Sequence, residues 1–324
     1  MSKGPESGTG AAAPQPAARP AGAVPAQGAA AAAANMAAIG TYVVAMAVLT
    51  LMDATIKWLS ADYHTLQILA FRSLFGFIPV LAFVMVAQGG LSALGTRRPG
   101  AHLLRGLVIT ATAFLFFFAV GRLPLADAYA IIFAAPLFLT ALSGPLLGES
   151  VGPRRWAAVL VGFAGVLVVL RPSAAGGGGL IDIGAVAALA GALGYALFGA
   201  LTRLHSRTET NAALTVWSSL VTLGLAGLSL PFVWITPKPE DLALLVLTGL
   251  LGGIGSILIV RAFAMAPLAV IAPFEYTTMA WGVVLGFVLF GDLPGPWVWV
   301  GTAIVVAAGL YILYRENRAR GTAP

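Results

Sequence analysis

Gly148-Glu149-Ser150-Val151-Gly152-Pro153-Arg154-Arg155-Trp156 finds an echo in Gly291-Asp292-Leu293-Pro294-Gly295-Pro296-Trp297-Val298-Trp299. Gly, an acid, Gly, Pro and Trp recur at one offset, 143 residues. Pro124-Leu125-Ala126 returns at the same offset as Pro267-Leu268-Ala269. Two matches in one register mark an internal repeat, and a repeat governs every later statement about architecture.

The chain between these marks is apolar. Of 324 residues, 59% are hydrophobic and only 9% charged, with a mean hydropathy of +0.94. A soluble domain carries about 25% charged residues, so an ordinary soluble enzyme and a disordered chain are both excluded. The apolar runs are continuous rather than alternating, which excludes a membrane β-barrel. Ten runs are long enough to cross the bilayer as helices. They cover about 36–59, 64–88, 102–121, 124–147, 155–171, 183–204, 211–235, 242–265, 268–290 and 297–314. The reading is an all-α polytopic membrane protein, with ten transmembrane helices arranged as two five-helix repeats. Five is odd, so the second repeat inserts upside down relative to the first. Inverted repeats are a mark of secondary transporters.

The organisation follows. Residues 1–35 are Ala, Pro, Gly and Gln with few large side chains, and are expected to be a disordered cytoplasmic tail. The first repeat covers 36–172, a Gly-rich linker 173–182, the second repeat 183–314, and a short cytoplasmic tail 315–324. Basic residues set the orientation. With the N-terminus inside, Lys3, Arg19, Arg97, Arg98, Arg154, Arg155, Arg203, Arg207, Arg315, Arg318 and Arg320 lie inside. Only Lys57, Arg122, Arg171 and Lys238 lie outside. Both termini are therefore expected in the cytoplasm and the protein in the inner (plasma) membrane. The same distribution sets nucleic acid aside as a partner, since the net charge of +6 sits at helix ends.

Pro124, Pro136, Gly148 and Glu149, the Gly-rich run Val161-Gly162-Phe163-Ala164-Gly165-Val166, and Pro267, Gly291, Asp292 and Gly309 together carry a resemblance. The chain resembles the EamA-like family of the drug/metabolite transporter superfamily over about 36–314. The resemblance implies a substrate cavity between the halves, lined by helices one to four and six to nine, with helices five and ten supporting or pairing them. It implies transport of a small organic metabolite without an ATP site. The run Met52-Asp53-Ala54-Thr55-Ile56-Lys57-Trp58-Leu59-Ser60 looks like family members that take up riboflavin or S-adenosylmethionine.

Charged side chains inside a span are functional candidates because burying them is costly. Asp53 and Lys57 are four residues apart and able to pair on one helix face. Arg72 enters the second span at a similar depth. Glu275 lies two turns into the ninth span beside Pro273, and Arg261 in the eighth span sits at a matching depth. Each set reads either as a site for an ionic substrate or proton, or as a structural ion pair. Tyr129, Tyr195, Trp217 and Tyr276 carry polar tips far from helix ends and are placed in the cavity wall, where they would stack on a flat ring or a cation. Asp127, Glu149 and Asp292 read as capping or gate-organising acids.

Competing chemistry finds little support. The chain has no Cys, no His-Glu-x-x-His and no Walker A loop, and its three His stand apart in sequence. No cofactor or metal is expected, and an intramembrane enzyme is the weakest reading. A passive channel and a membrane-embedded sensory or structural module are the alternatives. The substrate class stays open among flavin-like, adenosyl-type, amino-acid and organic-cation compounds, as do proton coupling and a homodimer.

Overall fold

Gly148 and Gly291 both adopt the left-handed conformation, at φ +70° and +72°, and each ends a helix. That conformation favours glycine, and it explains why the repeat keeps Gly at these two points. In the computed structural model, which describes residues 24–87, 90–148, 151–170, 182–206 and 208–321, the two glycines stand at equivalent places in two five-helix halves. The first half contains α1 (Val24–Leu59), α2 (Thr65–Ala87), α3 (Pro99–Val120), α4 (Leu125–Ile132 and Ala135–Leu147) and α5 (Pro153–Val169). The second contains α6 (Ile183–His205), α7 (Asn211–Val233), α8 (Pro239–Met265), α9 (Leu268–Ile271, a 3₁₀ turn Ala272–Tyr276, then Thr277–Phe290) and α10 (Pro296–Gly321).

Among the described residues, nine helical stretches are long and apolar enough to cross a membrane. The tenth helix, α5, has 17 residues and lies along α10. Its length is about 26 Å at 1.5 Å per residue, close to the hydrocarbon thickness. The chain is thus an all-helical, multi-pass membrane protein. α1 begins at Val24, twelve residues before the expected start at 36, because the Ala29–Ala34 run is strongly helix-forming. Residues 1–23 of the expected tail, Glu149 and linker residues 173–181 lie outside the described residues.

The packing repeats as the sequence does. α1 packs on α8, and its counterpart α6 packs on α3. α2 packs on α8, and α7 on α3. α1 touches α9, and α6 touches α4. Three helices also pack on their own counterparts: α2 on α7, α4 on α9 and α5 on α10. This exchange is what a two-fold axis relating inverted halves produces. Small residues permit the close approaches. A Cβ at Gly249 would meet the Gly76 nitrogen at 2.8 Å, and one at Gly301 would meet the Gly165 carbonyl oxygen at 2.7 Å.

Both α4 and α9 are interrupted. Pro136 and Pro273 lack an N–H, so the helical ladder cannot run through them. The α4 break at Phe133–Ala134 and the α9 turn ending at Tyr276 are one repeat offset apart. They meet in space: the Phe133 and Tyr276 rings pack edge-on, 4.9 Å between centroids. Broken helices of this kind line binding cavities near the midplane of transporters.

Candidate substrate site between the halves

Asp53 sits on α1 two turns before its end and is 5% exposed. The Tyr129 hydroxyl of α4 donates to Asp53 Oδ2 at 2.6 Å. Asp53 Oδ1 has no partner among the described residues. Arg72 of α2 lies within electrostatic reach of the carboxylate. Its Nε points at Met52 Sδ, 3.4 Å away, and its guanidinium lies over the Phe117 ring at 5.2 Å. Gly252 of α8 leaves the room: a Cβ there would come within 3.0 Å of Met52 Sδ and 3.5 Å of the guanidinium. Asp53, Arg72 and Tyr129 therefore form one charged knot that joins α1, α2 and α4.

Lys57 is not part of that knot. The expected Asp53–Lys57 pair is replaced by a contact between the halves. Lys57 Nζ donates to the Leu123 carbonyl at 2.6 Å and lies 3.5 Å from Asp292, in the loop between α9 and α10. It also sits over the Phe290 ring, which Trp58 flanks. The reason is depth. Asp53 faces inward to Tyr129, whereas Lys57 is half a turn from the helix end and its long stem reaches polar groups at the rim. Asp127, in the first turn of α4, lies within electrostatic reach of both Lys57 and Asp292. This end of the bundle, here the Lys57 end, is closed over Asp53. Farther along it, Tyr63 donates to Asp241 at 2.8 Å, and Gln67 exchanges two hydrogen bonds with the Ile235 backbone.

Glu275 lies in the 3₁₀ turn of α9. Tyr42 of α1, Tyr195 of α6 and Tyr276 are within electrostatic reach of its carboxylate. Tyr42 stacks on Phe263 at 5.7 Å, which fixes its ring. Tyr195 is 49% exposed although it sits in the middle of its helix. Arg261, expected to bridge to Glu275, is exposed, and among the described residues no ion pair joins them. Equal depth along two helices does not give equal rotation about them.

Trp217 is also elsewhere. Its Nε1 donates to the Leu94 carbonyl at 3.0 Å, and its ring is 6.2 Å from that of His102. It belongs to a polar cluster at the opposite, Arg-rich end. There Arg105 of α3, 3% exposed, donates to the Leu214 carbonyl, Ser218 and Thr202 and covers the Phe198 ring at 4.7 Å. His102 Nε2 lies 3.3 Å from Glu209 Oε2. Burial disfavours the Glu209 carboxylate, but hydrogen bonds from His102 and Thr96 outweigh it and hold the group below its usual range. Sequence reading missed this cluster. His102 and Glu209 stand at separate helix ends in the sequence, and only the α3–α6 and α3–α7 packing brings them together. The one signal on offer was Arg105, a basic residue two turns into α3.

The model of the EamA-like transporter family matches residues 36–171 and again 182–315, the two halves just described. The chain is 26% identical to an S-adenosylmethionine uptake transporter of Rickettsia bellii over 281 residues, covering 87% of this chain and 94% of that one. It is 29% identical to a riboflavin transporter of Rhizobium johnstonii over 273 residues, covering 83% and 88%. One crystal structure superposes with a TM-score of 0.59 at 21% identity, over 90% of this chain and 99% of that chain, a likeness of fold.

Proposed function

Since the chain belongs to the EamA-like transporter family, a family of small-metabolite carriers rather than enzymes, we propose that it moves a flat-ringed organic metabolite across the inner membrane by alternating access. The observation that carries this reading is the asymmetry of closure between two inverted halves. At the Lys57 end, the Tyr129–Asp53 bond is buried and a separate Lys57–Asp292 contact joins the two halves beyond it. Toward the Arg-rich end, Tyr195 is half exposed and lies within electrostatic reach of the partly exposed Glu275. The Arg-rich end faces the cytoplasm in this reading, so the structure is closed outward and accessible inward. In the opposite state the knot around Asp53 opens and the groups around Glu275 close.

The curated relatives support an adenosyl-type or flavin-like substrate, one being named for S-adenosylmethionine and another for riboflavin. Aromatic side chains at Tyr42 and Tyr195 suit a flat ring.

Counterflow in proteoliposomes tests the mechanism against the channel alternative. Vesicles loaded with unlabelled S-adenosylmethionine or riboflavin are diluted into a trace of the labelled compound. A carrier that alternates accumulates label transiently above equilibrium, because outgoing unlabelled substrate returns the site. A channel only equilibrates. Overshoot with either compound is expected. Simple equilibration with no overshoot refutes alternating access.

A further inference from the structure

Glu275 differs from Asp53 in one decisive respect: nothing satisfies it. Asp53 accepts the Tyr129 hydroxyl and has Arg72 beside it. Among the described residues, no hydrogen bond or ion pair reaches the Glu275 carboxylate. The break in α9 does not require it either. The Thr277 and Thr278 hydroxyls donate to the Phe274 and Glu275 carbonyls, at 2.6 and 2.7 Å, so the turn is bonded without the Glu275 side chain. The carboxylate is therefore surplus to the fold, and a charge inside a span without a partner is costly to keep.

The repeat sharpens the contrast. Asp53 plus the offset of 143 is position 196, next to Tyr195, and α4, which carries Tyr129, is the counterpart of α9, which carries Glu275. One half presents an acid from its first helix and a phenol from its fourth. The other half presents the phenol from its first helix and the acid from its fourth. The first pair is bonded and buried. The second pair is unbonded and within electrostatic reach, with Tyr195 half exposed and Glu275 partly so. Tyr42 is also within reach of Glu275, whereas the Tyr276 hydroxyl lies against Gly309 of α10.

Resting on the transporter reading above, we infer that Glu275, Tyr42 and Tyr195 form a site for an organic cation, so that the substrate carries a fixed positive charge beside its flat ring. An unpaired carboxylate with phenols within its electrostatic reach suits sulfonium and ammonium groups. A metal ion does not suit it. Calcium asks for six to eight oxygen ligands, and here there is one carboxylate. Of the two substrates named for relatives, S-adenosylmethionine is a sulfonium cation and riboflavin is uncharged, so the site favours the former kind.

The test uses two matched pairs that differ in charge: S-adenosylmethionine against S-adenosylhomocysteine, and 1-methylnicotinamide against nicotinamide. Binding to the purified full chain is read by competition and by thermal stabilisation. In at least one pair the charged member should bind about tenfold more tightly than its neutral partner. Glu275→Gln should bring that ratio to about one. Tyr195→Leu should weaken the charged member selectively, and Tyr195→Phe should spare it. These two variants decide the matter if Glu275→Gln does not fold. No preference for the charged member in either pair, or a preference that survives both Glu275→Gln and Tyr195→Leu, overturns the inference. Riboflavin overshoot alongside such a result leaves the carrier mechanism standing, whereas absence of all overshoot removes the mechanism itself.

Discussion

At the scale of single residues, the Tyr129–Asp53 bond is the most exposed to test. It is short, buried and links α1 to α4. Tyr129→Phe removes the donor and leaves a buried carboxylate oxygen without one. Such a loss costs about 1–3 kcal/mol, more when the orphan is charged. Tyr129→Phe should therefore lower the melting temperature in detergent. Adding Asp53→Asn should recover part of the loss, because the remaining group is neutral. Space is not the issue in the single variant, since only the hydroxyl is removed. If Tyr129→Phe melts as the parent does, the bond does not hold the Lys57 end closed. Sequence reading found Asp53, Arg72 and Tyr129 from cost alone: each is a polar group deep in a span. It paired Asp53 with Lys57 because i,i+4 spacing is visible in a sequence. The Leu123 carbonyl and Asp292, which Lys57 reaches, are 66 and 235 positions away along the chain and are not.

At the scale of elements, helix existence was legible and helix rotation was not. Each span announced itself as an apolar run. The starts shifted toward proline: α3, α5, α8 and α10 begin at Pro99, Pro153, Pro239 and Pro296, up to three residues before the apolar runs. Proline fits the first helical turn, where its missing N–H leaves no bond unmade. Rotation about each axis is set by partners, and that is why Arg261 and Trp217 were misplaced. Arg261 shares a depth with Glu275 but faces away from it, and Trp217 turns to the Leu94 carbonyl. The α5–α10 contact gives an element-scale prediction. Gly165 and Gly301 face each other, and a Cβ at Gly301 would stand 2.7 Å from the Gly165 carbonyl oxygen and 2.5 Å from Val169 Cγ2. The backbone oxygen cannot move aside as a side chain can. Gly301→Ala must push the helices apart, and overpacking of this sort costs about 1–3 kcal/mol. Gly100→Ala is the control, because a Cβ there meets nothing within 4 Å. A melting temperature lowered by Gly301→Ala and kept by Gly100→Ala is expected. Equal behaviour of the two would mean that the close approach of α5 and α10 contributes nothing to stability.

For the whole molecule, the inverted halves make orientation and mechanism one question. The closed knot lies at the Lys57 end, so the side to which the Glu275 groups face depends on which end is cytoplasmic. Arg97, Arg98, Arg154, Arg155 and Arg203 gather at one end, whereas the other holds Lys57, Arg122 and Lys238. Basic residues near short loops are retained on the cytoplasmic side, and acids scarcely matter to that choice. The Arg-rich end should therefore be cytoplasmic. The chain lacks Cys altogether, so single cysteines report without further engineering. Ser206, exposed after α6 at the Arg-rich end, and Thr236, exposed before α8 at the Lys57 end, are suitable positions. With a membrane-impermeant maleimide on intact cells, Thr236→Cys should label at once. Ser206→Cys should label only after the membrane is permeabilised. The reverse pattern would put both termini outside and turn the accessible Glu275 site toward the exterior. The charged knot at Asp53 would then become the cytoplasmic barrier, and the same conformation would be that of a carrier waiting to load from outside.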